Sequence, residues 1–223
     1  MGRWSINMKY ILFDLDGTFT EPKEGITKGM RYALDYLGIK DVSLESLEKY
    51  IGPPLSETFE IGFGFDKKKT DEAIKKYREY FSEIGIFENA LYDGVKEMFS
   101  ELKKDGKVLI IATSKPQVFA KRIVEHFDVD KYLTFVAGSE LDGSRNSKAE
   151  VIDYALKKNN ITDINDVIMV GDRKHDIVGA KKNNMKSIGV TFGYGSREEL
   201  KEAGADYIVD NINELKEMLL KYE

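Results

Sequence analysis

Two patterns of apolar residues divide this chain into segments. Residues 11–13 form a short, continuous apolar run that ends at Asp14. Runs of this length, rich in branched and aromatic side chains, are typical of strands buried on both faces of a sheet. Similar runs predict further strands at 107–112, 132–137, 167–170, 187–191 and 207–209.

The segments between the later runs have helical spacing. The apolar residues of 95–102 recur at intervals of three and four, which predicts a helix that stops at Gly106. Further helices are predicted at 116–127, from 147, from about 176, after 196 and from 212. Strands that alternate with helices imply right-handed crossovers. The predicted fold class is therefore α/β, with a doubly wound parallel sheet.

Residues 21–88 differ, because they contain no convincing strand. Helical spacing predicts helices around 30–37, 44–51, 55–59 and 73–84, with a rigid break at residues 52–54. We therefore predict an α/β core catalytic domain of residues 1–20 and 89–223, interrupted by an all-helical cap domain of residues 21–88. The two crossings, near 19–22 and 87–92, are candidate hinges for a lid.

The composition of the chain limits which binding partners and which cellular compartment we expect. The formal charge of −5 at pH 7 argues against a nucleic acid polymer or an anionic membrane surface as the main partner. No apolar run approaches the roughly 20 residues that span a bilayer, and residues 1–7 lack the apolar centre of a signal peptide. The absence of cysteine excludes thiolate chemistry and is compatible with the cytoplasmic location that we expect. No obligate protein partner is evident, and Met8 is a candidate native start.

Polar side chains follow the predicted strands at the points where those strands end. In an open parallel sheet, ligands bind at this edge. Asp14 and Asp16 lie two apart on an extended segment and therefore point the same way. Two such charges repel each other unless a cation or a shared proton intervenes. The other groups predicted at this edge are Thr113, Ser114, Lys148, Asp172 and Asp176.

This set of side chains contains what phosphoryl transfer requires. The reaction uses a nucleophile, a metal ion that holds the phosphate beside it, donors for the equatorial oxygens and a cation for the developing charge. An aspartate can be the nucleophile, and a second acid can protonate the leaving oxygen and later activate water. Mg²⁺ prefers oxygen ligands and keeps several waters, so two or three carboxylates suffice.

Taken one at a time, these residues have simpler structural explanations. Thr113 and Ser114 could cap a helix, and Asp172 and Asp176 could be turn and cap residues. Asp-Gly, which follows the first predicted strand, is common in turns. The joint occurrence of all these features at strand ends is what favours a catalytic site.

Taken together, the residues resemble the motifs of the haloacid dehalogenase-like hydrolases. The motifs, in chain order, are Asp14-Leu-Asp16-Gly-Thr, Thr113-Ser114, Lys148, and Asp172 with Asp176. The resemblance extends over the chain from Met8 onward. It is closest to the phosphatases of that family that carry a helical cap.

The resemblance implies a role for each of these residues. Asp14 would be the nucleophile and a metal ligand, and Asp16 the general acid/base, with its backbone carbonyl on the metal ion. Asp172 would be the last direct ligand of Mg²⁺, and Asp176 would hold a metal-bound water. The remaining roles are a phosphate-binding hydroxyl on Thr113, backbone donors at Ser114, and orientation of the nucleophile by Lys148.

The basic residues leave several assignments open. A lysine in a first helical turn is usually solvated, and Lys148 competes with Arg145 and Lys157 for the cationic role. Its assignment depends on the resemblance. Arg173 and Lys174 stand where the family usually has small or polar residues, and they are candidates for contact with the substrate.

The resemblance also bears on the substrate. Family members that dehalogenate carbon lack an acid at the position of Asp16, because halide needs no proton, so its presence favours phosphate esters. Residues 138–143 and the cap resemble those of phosphoglycolate phosphatases and 5′-nucleotidases, between which the sequence does not choose. Gly52 and Pro53 in the cap, together with the loop 193–195, are expected to shape the substrate pocket.

Other functions stay open at this point. A phosphosugar mutase or an inorganic pyrophosphatase could use the same scaffold, because nothing local in the sequence excludes a bisphosphate intermediate. A phospho-accepting receiver-like domain also combines acids, Ser/Thr, Lys and Mg²⁺, but receivers place the acceptor after the third strand and have no helical insert. A catalytically silent binding module would lack a catalytic carboxylate, and none is missing. We therefore predict a small-molecule phosphate ester as the ligand.

Overall fold

The chain forms two compact units. The structure is a computed structural model that describes residues 8–220. Residues 1–7, where the sequence predicts no signal peptide, and residues 221–223 lie outside the described part. Of the described residues, one unit contains those up to Thr20 and from Leu91 onward, and the other is Glu21–Ala90. That the first unit is a catalytic domain and the second its cap stays a prediction.

The first unit is built on a parallel sheet. The strands of the described residues are β1 (Tyr10–Phe13), β2 (Thr20–Glu21), β3 (Ala90–Leu91), β4 (Val108–Pro116), β5 (Leu133–Ser139), β6 (Val167–Gly171), β7 (Lys186–Val190) and β8 (Tyr207–Val209). Six of them pair in parallel in the order β5-β4-β1-β6-β7-β8, and β2 and β3 form a separate two-stranded sheet. The chain runs outward from β1 to β5 and returns to β6 on the other side, which confirms the predicted doubly wound α/β sheet.

The strand at the centre of this sheet is β1, and its apolar run reflects burial on both faces. Successive side chains of a strand point to opposite faces. Leu12 belongs to a buried cluster with Val151 and Ile152. Phe13 faces the other way and packs against Phe99, with ring centroids 5.2 Å apart. Neither side chain is exposed to solvent, so both faces of β1 are covered.

Helices account for most of the remaining chain. Those of the inserted unit are α1 (Lys23–Tyr36), α2 (Leu44–Leu47), α3 (Leu55–Glu57) and α4 (Lys67–Tyr80); those of the first unit are α5 (Val95–Lys104), α6 (Gln117–His126), α7 (Lys148–Lys158), α8 (Lys174–Lys182), α9 (Arg197–Ala203) and α10 (Ile212–Leu219). Within residues 8–220, none of these helices has the length and apolar character needed to cross a bilayer.

One difference from the predicted bounds matters for the site. β4 continues to Pro116 instead of ending at Ala112, because an irregularity in its pairing with β5 after Ala112 lets Pro116 rejoin the ladder. Thr113 and Ser114 therefore lie within the strand. The N-cap of α6 is Pro116. The helix predicted at 116–127 therefore begins one residue later, and the alternative that Thr113 or Ser114 caps it is wrong.

The inserted unit is helical, as predicted. Ser43 caps α2, since its hydroxyl accepts a hydrogen bond from the backbone N–H of Ser46 at 3.2 Å. The apolar stripe of α4 continues into a widened helical turn at Phe81–Gly85. There Phe81 stacks on Tyr77 with ring centroids 5.2 Å apart, and both side chains are buried. This aromatic stripe is part of the core of its own unit.

Candidate active site

Three carboxylates meet where β1 and β6 end. The backbone N–H of Asp14 donates to Val170 O at 2.9 Å, which extends the pairing of the two strands by one residue beyond β1. Asp14, Asp172 and Asp176 each offer an oxygen, and these oxygens lie within 4.8 Å of one another. All three residues are buried, with exposures of 6%, 0% and 0%. The structure thus brings together acids that are about 160 positions apart in the sequence.

A single lysine connects two of these acids. Lys148 is the first residue of α7, and its Nζ lies 2.7 Å from Asp14 Oδ1 and 2.8 Å from Asp176 Oδ1. The same group donates to Ala112 O at 3.0 Å. Burial by itself would lower the pKa of Lys148, but the charges of Asp14 and Asp176 outweigh it and raise that pKa. The lysine is therefore held in its charged form.

The competing basic residues are engaged elsewhere. Arg145 donates to Gly138 O at 2.8 Å and pairs with Glu140. Lys157 pairs with Asp153 at the surface. Of the three candidates, Lys148 is the one that reaches the acids, so the alternative of a solvated lysine is wrong.

The acids carry more negative charge than the lysine compensates. Burial raises the pKa of Asp176 to about 6, with the charge of Asp14 adding to the effect and Lys148 opposing it. Burial, followed by the charges of Asp176 and Asp14, raises the pKa of Asp172 well above its ordinary value. Three carboxylates face one ammonium group here, so a divalent cation would balance them. Oxygen ligands at this spacing suit such an ion, and the triad could therefore bind a metal.

The turn after β1 is shaped around Asp172. Gly17 has φ +80°, and a Cβ built on it would lie 2.2 Å from Asp172 Oδ2. The backbone N–H of Tyr194 donates to the same oxygen at 2.8 Å, and the Thr18 hydroxyl donates to Oδ1 at 3.4 Å. Asp-Gly does form a turn here, but its glycine is also required by the close approach of a site carboxylate. The loop 193–195, which we expected to line the substrate pocket, contacts Asp172.

Asp176 has a structural function as well as a place in the triad. Its Oδ2 accepts a hydrogen bond from the backbone N–H of Arg173 at 3.1 Å, so it does help to start α8. Its other oxygen faces Lys148. The cap alternative is therefore right for one oxygen, while the other oxygen contacts the lysine of the cluster. That Asp176 holds a metal-bound water stays a prediction.

A second buried ion pair involves a residue that the motifs did not include. Asp16 Oδ2 lies 2.7 Å from Lys115 Nζ, and each residue is 9% exposed. Burial raises the pKa of Asp16, and the charge of Lys115 opposes this shift. A lysine placed directly after Thr113 and Ser114, next to an otherwise apolar strand, is the sequence signal that could have indicated it.

The candidate phosphate-binding residues lie on the strand beside β1. Thr113 is 2% exposed, and its hydroxyl accepts a hydrogen bond from the backbone N–H of Lys115 at 3.2 Å. The carbonyl of Ser114 accepts from the Ser139 hydroxyl at 2.8 Å. Since β4 pairs directly with β1, both residues follow the sheet to the same edge as Asp14. Their phosphate-binding role stays a prediction.

The predicted residues that remain are two in the inserted unit and the basic pair that follows Asp172. Gly52 and Pro53 belong to the inserted unit, where Gly52 has φ +107°. Their role in substrate binding stays a prediction. The Arg173 side chain donates from Nε to Glu199 at 2.9 Å, and the backbone N–H of Lys174 donates to the same carboxylate at 2.8 Å. These two residues hold α9 against the start of α8.

Comparison with known proteins identifies a matching family model and several sequence relatives. The sequence model of the haloacid dehalogenase-like hydrolases matches residues 11–190. A 5′-nucleotidase of Pseudomonas aeruginosa is 42% identical, over 94% of each chain. The tyrosine-protein kinase PtkA of Mycobacterium tuberculosis is 34% identical, over 94% of this chain and 72% of that protein. A phosphoglycolate phosphatase of Vibrio parahaemolyticus is 27% identical, over 96% of each chain.

Among solved structures, a similar one is described as a predicted phosphatase from Clostridium acetobutylicum. It has a TM-score of 0.92 and 49% sequence identity, and the match covers 95% of this chain and 97% of that one. The similarity therefore includes the inserted helical segment as well as the parallel sheet.

Proposed function

Because the chain belongs to the haloacid dehalogenase-like hydrolases and is a phosphatase, we propose that it hydrolyses a small phosphate monoester through an aspartyl-phosphate on Asp14. The cofactor that we propose is Mg²⁺, bound by Asp14, Asp172 and the backbone carbonyl of Asp16, with Asp176 holding a metal-bound water. The observation that carries the proposal is the buried cluster of three acids within 4.8 Å, two of which contact Lys148.

Lys148 prepares Asp14 to act as a nucleophile. Its Nζ lies 2.7 Å from Asp14 Oδ1, so this charge-assisted contact restricts the rotation of the carboxylate. Mg²⁺, when bound, would offset the negative charge of the phosphate and hold it beside the nucleophile. The short contact with Lys148 prevents Asp14 from turning away from an incoming phosphoryl group.

In the first half-reaction, a carboxylate oxygen of Asp14 forms a bond to phosphorus, and the bond from phosphorus to the ester oxygen breaks. The electron pair of that bond stays on the leaving oxygen, which takes a proton from Asp16. Asp16 suits the donor role because burial raises its pKa. The products are an alcohol and an aspartyl-phosphate.

In the second half-reaction, Asp16 takes a proton from water as the water oxygen attacks phosphorus. The bond from phosphorus to the Asp14 oxygen breaks, and its electron pair returns to the carboxylate, so phosphate is released and both acids regain their starting states. The Thr113 hydroxyl and backbone donors near Ser114 are proposed to bind the phosphate oxygens. The direct pairing of β4 with β1 supports this placement.

We propose a nucleoside monophosphate or phosphoglycolate as the substrate. The 5′-nucleotidase at 42% identity and the phosphoglycolate phosphatase at 27% identity support these two classes. Gly52 and Pro53 of the inserted unit remain proposed substrate-binding residues that shape the pocket. No nucleic acid polymer, membrane or second protein takes part in the proposed reaction.

The test is phosphate release from p-nitrophenyl phosphate in the presence of Mg²⁺. We expect EDTA to abolish release and Asp14→Asn to lower kcat by several orders of magnitude. The control is Asp153→Asn, which changes a half-exposed acid of α7 that pairs with Lys157 at the surface, and it should keep wild-type kinetics.

A panel then separates the substrate classes by kcat/KM. It contains phosphoglycolate, nucleoside monophosphates, sugar phosphates and pyrophosphate. Accumulation of a stable bisphosphate instead of free phosphate would indicate a mutase, and preference for pyrophosphate would indicate a pyrophosphatase. No release from any compound in the panel would falsify the phosphatase mechanism.

A further inference from the structure

Lys115 is a buried lysine next to the proposed acid/base. It is the last residue but one of β4, and its side chain is 6% exposed. Moving an ammonium group out of water is unfavourable unless a partner compensates its charge. The compensating partner is Asp16, whose Oδ2 lies 2.7 Å from Lys115 Nζ.

The contact leaves the two oxygens of Asp16 in different situations. Oδ2 faces Lys115, whereas Oδ1 is buried and has no hydrogen-bond partner among residues 8–220. A carboxylate that serves as general acid and base needs one oxygen free to exchange the proton and a second group that prevents rotation. Lys115 is the group that prevents this rotation.

The backbone of Lys115 is fixed as well. Its N–H donates to the Thr113 hydroxyl at 3.2 Å, and β4 pairs with β1, which leads to Asp14. The position of its ammonium group is therefore tied to the same strands that place the nucleophile. The two buried lysines contact different acids of the site. Lys148 pairs with Asp14 and Asp176, whereas Lys115 pairs with Asp16.

We propose that Lys115 is a positioning residue for the acid/base step: it holds Oδ2 of Asp16 so that Oδ1 exchanges the proton with the leaving oxygen and then with water. This inference rests on the proposed phosphatase mechanism. It differs from a purely structural role, in which Lys115 would only neutralise a buried acid.

The experiment compares two esters in Lys115→Met. An alkyl phosphate accepted by the wild-type enzyme needs a proton donor to release its alcohol, whereas p-nitrophenyl phosphate releases a stable anion without one. We expect kcat for the alkyl ester to fall about 100-fold, with KM within about threefold, because misplacement of a catalytic group has that size of effect.

Rapid mixing with p-nitrophenyl phosphate gives the decisive readout. Formation of the aspartyl-phosphate should persist in Lys115→Met, but attack by water should slow because it needs the base. We expect a burst of about one equivalent of p-nitrophenolate followed by slow turnover. Asp16→Asn should show the same burst, which tests the proposed mechanism independently of Lys115.

Two further variants keep the test decisive. Lys107→Met is the matched control, because Lys107 is also buried, at 4% exposure, but lies before the opposite end of β4 and pairs with Asp105. It should lower the melting temperature without producing a burst. Lys115→Gln removes the charge and keeps a donor, so it serves if the methionine variant does not fold.

Three outcomes overturn the inference. The first is equal slowing of both esters without a burst in either Lys115 variant, and the second is a raised KM with unchanged kcat, which would make Lys115 a substrate-binding residue. The third is a burst in Asp16→Asn but not in the Lys115 variants, which removes the positioning role and leaves the phosphatase mechanism intact. A wild-type protein without phosphatase activity would instead remove the mechanism itself.

Discussion

At the scale of single residues, Asp172 is the acid of the site whose negative charge the surrounding protein groups stabilise least. Asp14, Asp16 and Asp176 each lie within 2.8 Å of a lysine Nζ. Asp172 instead accepts hydrogen bonds from two neutral donors, the Tyr194 N–H and the Thr18 hydroxyl. It is completely buried. A bound cation would therefore stabilise its charge more than any of the protein groups in contact with it.

We expect Asp172→Asn to stabilise the metal-free protein and to remove metal binding. The amide carries no charge to bury, and its oxygen can still accept from Tyr194. The free energy of unfolding at pH 7.5 in EDTA should rise by roughly 1–3 kcal/mol, the size of the penalty for an uncompensated buried polar group. Urea unfolding with EDTA and with Mg²⁺ measures both effects. A less stable metal-free variant, or one that Mg²⁺ still stabilises, would contradict this explanation.

Gly17 is the other residue at which a small change should disturb the metal site. Gly17→Ala combines a left-handed backbone at φ +80° with a Cβ 2.2 Å from Asp172 Oδ2. We expect weaker Mg²⁺ binding and a loss of stability that exceeds the roughly 1–2 kcal/mol of the backbone term. Calorimetric titration with Mg²⁺ measures the first effect, and thermal unfolding measures the second.

The matched control is Gly106→Ala. Gly106 has a similar φ, +78°, but no heavy atom lies within 4 Å of its Cβ position. This variant should show the backbone effect on stability and wild-type Mg²⁺ affinity. Equal Mg²⁺ affinities in the two variants would show that the close approach to Asp172 is unimportant.

At the scale of helices and strands, α7 places Lys148 in the site through its first turn. The Ser147 hydroxyl accepts from the Glu150 N–H at 3.3 Å, and the Glu150 carboxylate accepts from the Ser147 N–H at 3.0 Å. This reciprocal pair satisfies backbone donors that a helix start leaves free. Because Lys148 is the next residue after the cap, the same geometry sets the direction in which its side chain leaves the helix.

We expect Ser147→Ala to lower both stability and activity. Loss of the cap should decrease the free energy of unfolding by about 1 kcal/mol, and kcat should fall several-fold because Lys148 is less firmly placed. The control is Asn211→Ala, which removes the cap of α10, where Asn211 accepts from the Glu214 N–H at 2.9 Å. The control should lose similar stability and keep its kcat. If both variants keep wild-type kcat, the first turn of α7 does not position Lys148.

At the scale of the whole molecule, the buried acids couple folding to pH and to metal. The pKa of Asp176 is about 6 in the folded protein, against roughly 3.9 in an unfolded chain. The folded state thus holds this proton more tightly than the unfolded state. The contribution to stability is full below about pH 4 and is lost as the pH rises through 6.

We therefore expect the metal-free protein to lose up to about 3 kcal/mol of stability from this residue between pH 4 and pH 6.5. Urea unfolding in EDTA across that range measures it, and Asp176→Asn should show a weaker dependence. Mg²⁺ at 100 times its Kd should raise the free energy of unfolding by about 2.7 kcal/mol at pH 7. Parallel pH profiles for wild type and variant would disprove this role of Asp176.

Several tertiary features escaped the sequence analysis for specific physical reasons. The Asp16–Lys115 pair joins the turn after one strand to the end of another. A lysine that follows an apolar strand signals a buried cation, but nothing in either segment indicates which acid it meets. The contact of the 193–195 loop with Asp172 likewise depends on how β7 and β6 lie together. The extension of β4 through Thr113 and Ser114 follows from an irregularity in strand pairing, to which apolar periodicity is insensitive.

The sequence by itself determined the kinds and order of the elements of the main sheet, the interruption of that sheet by a helical segment, and the chemical groups at the strand ends, but not the short strands β2 and β3. These are local properties, because periodicity, caps and turn residues act within a few positions. Only the tertiary structure decided which oxygen of Asp14, Asp16, Asp172 and Asp176 faces which partner. That choice depends on distances of a few ångströms between segments far apart in the chain, and packing and electrostatic balance set those distances.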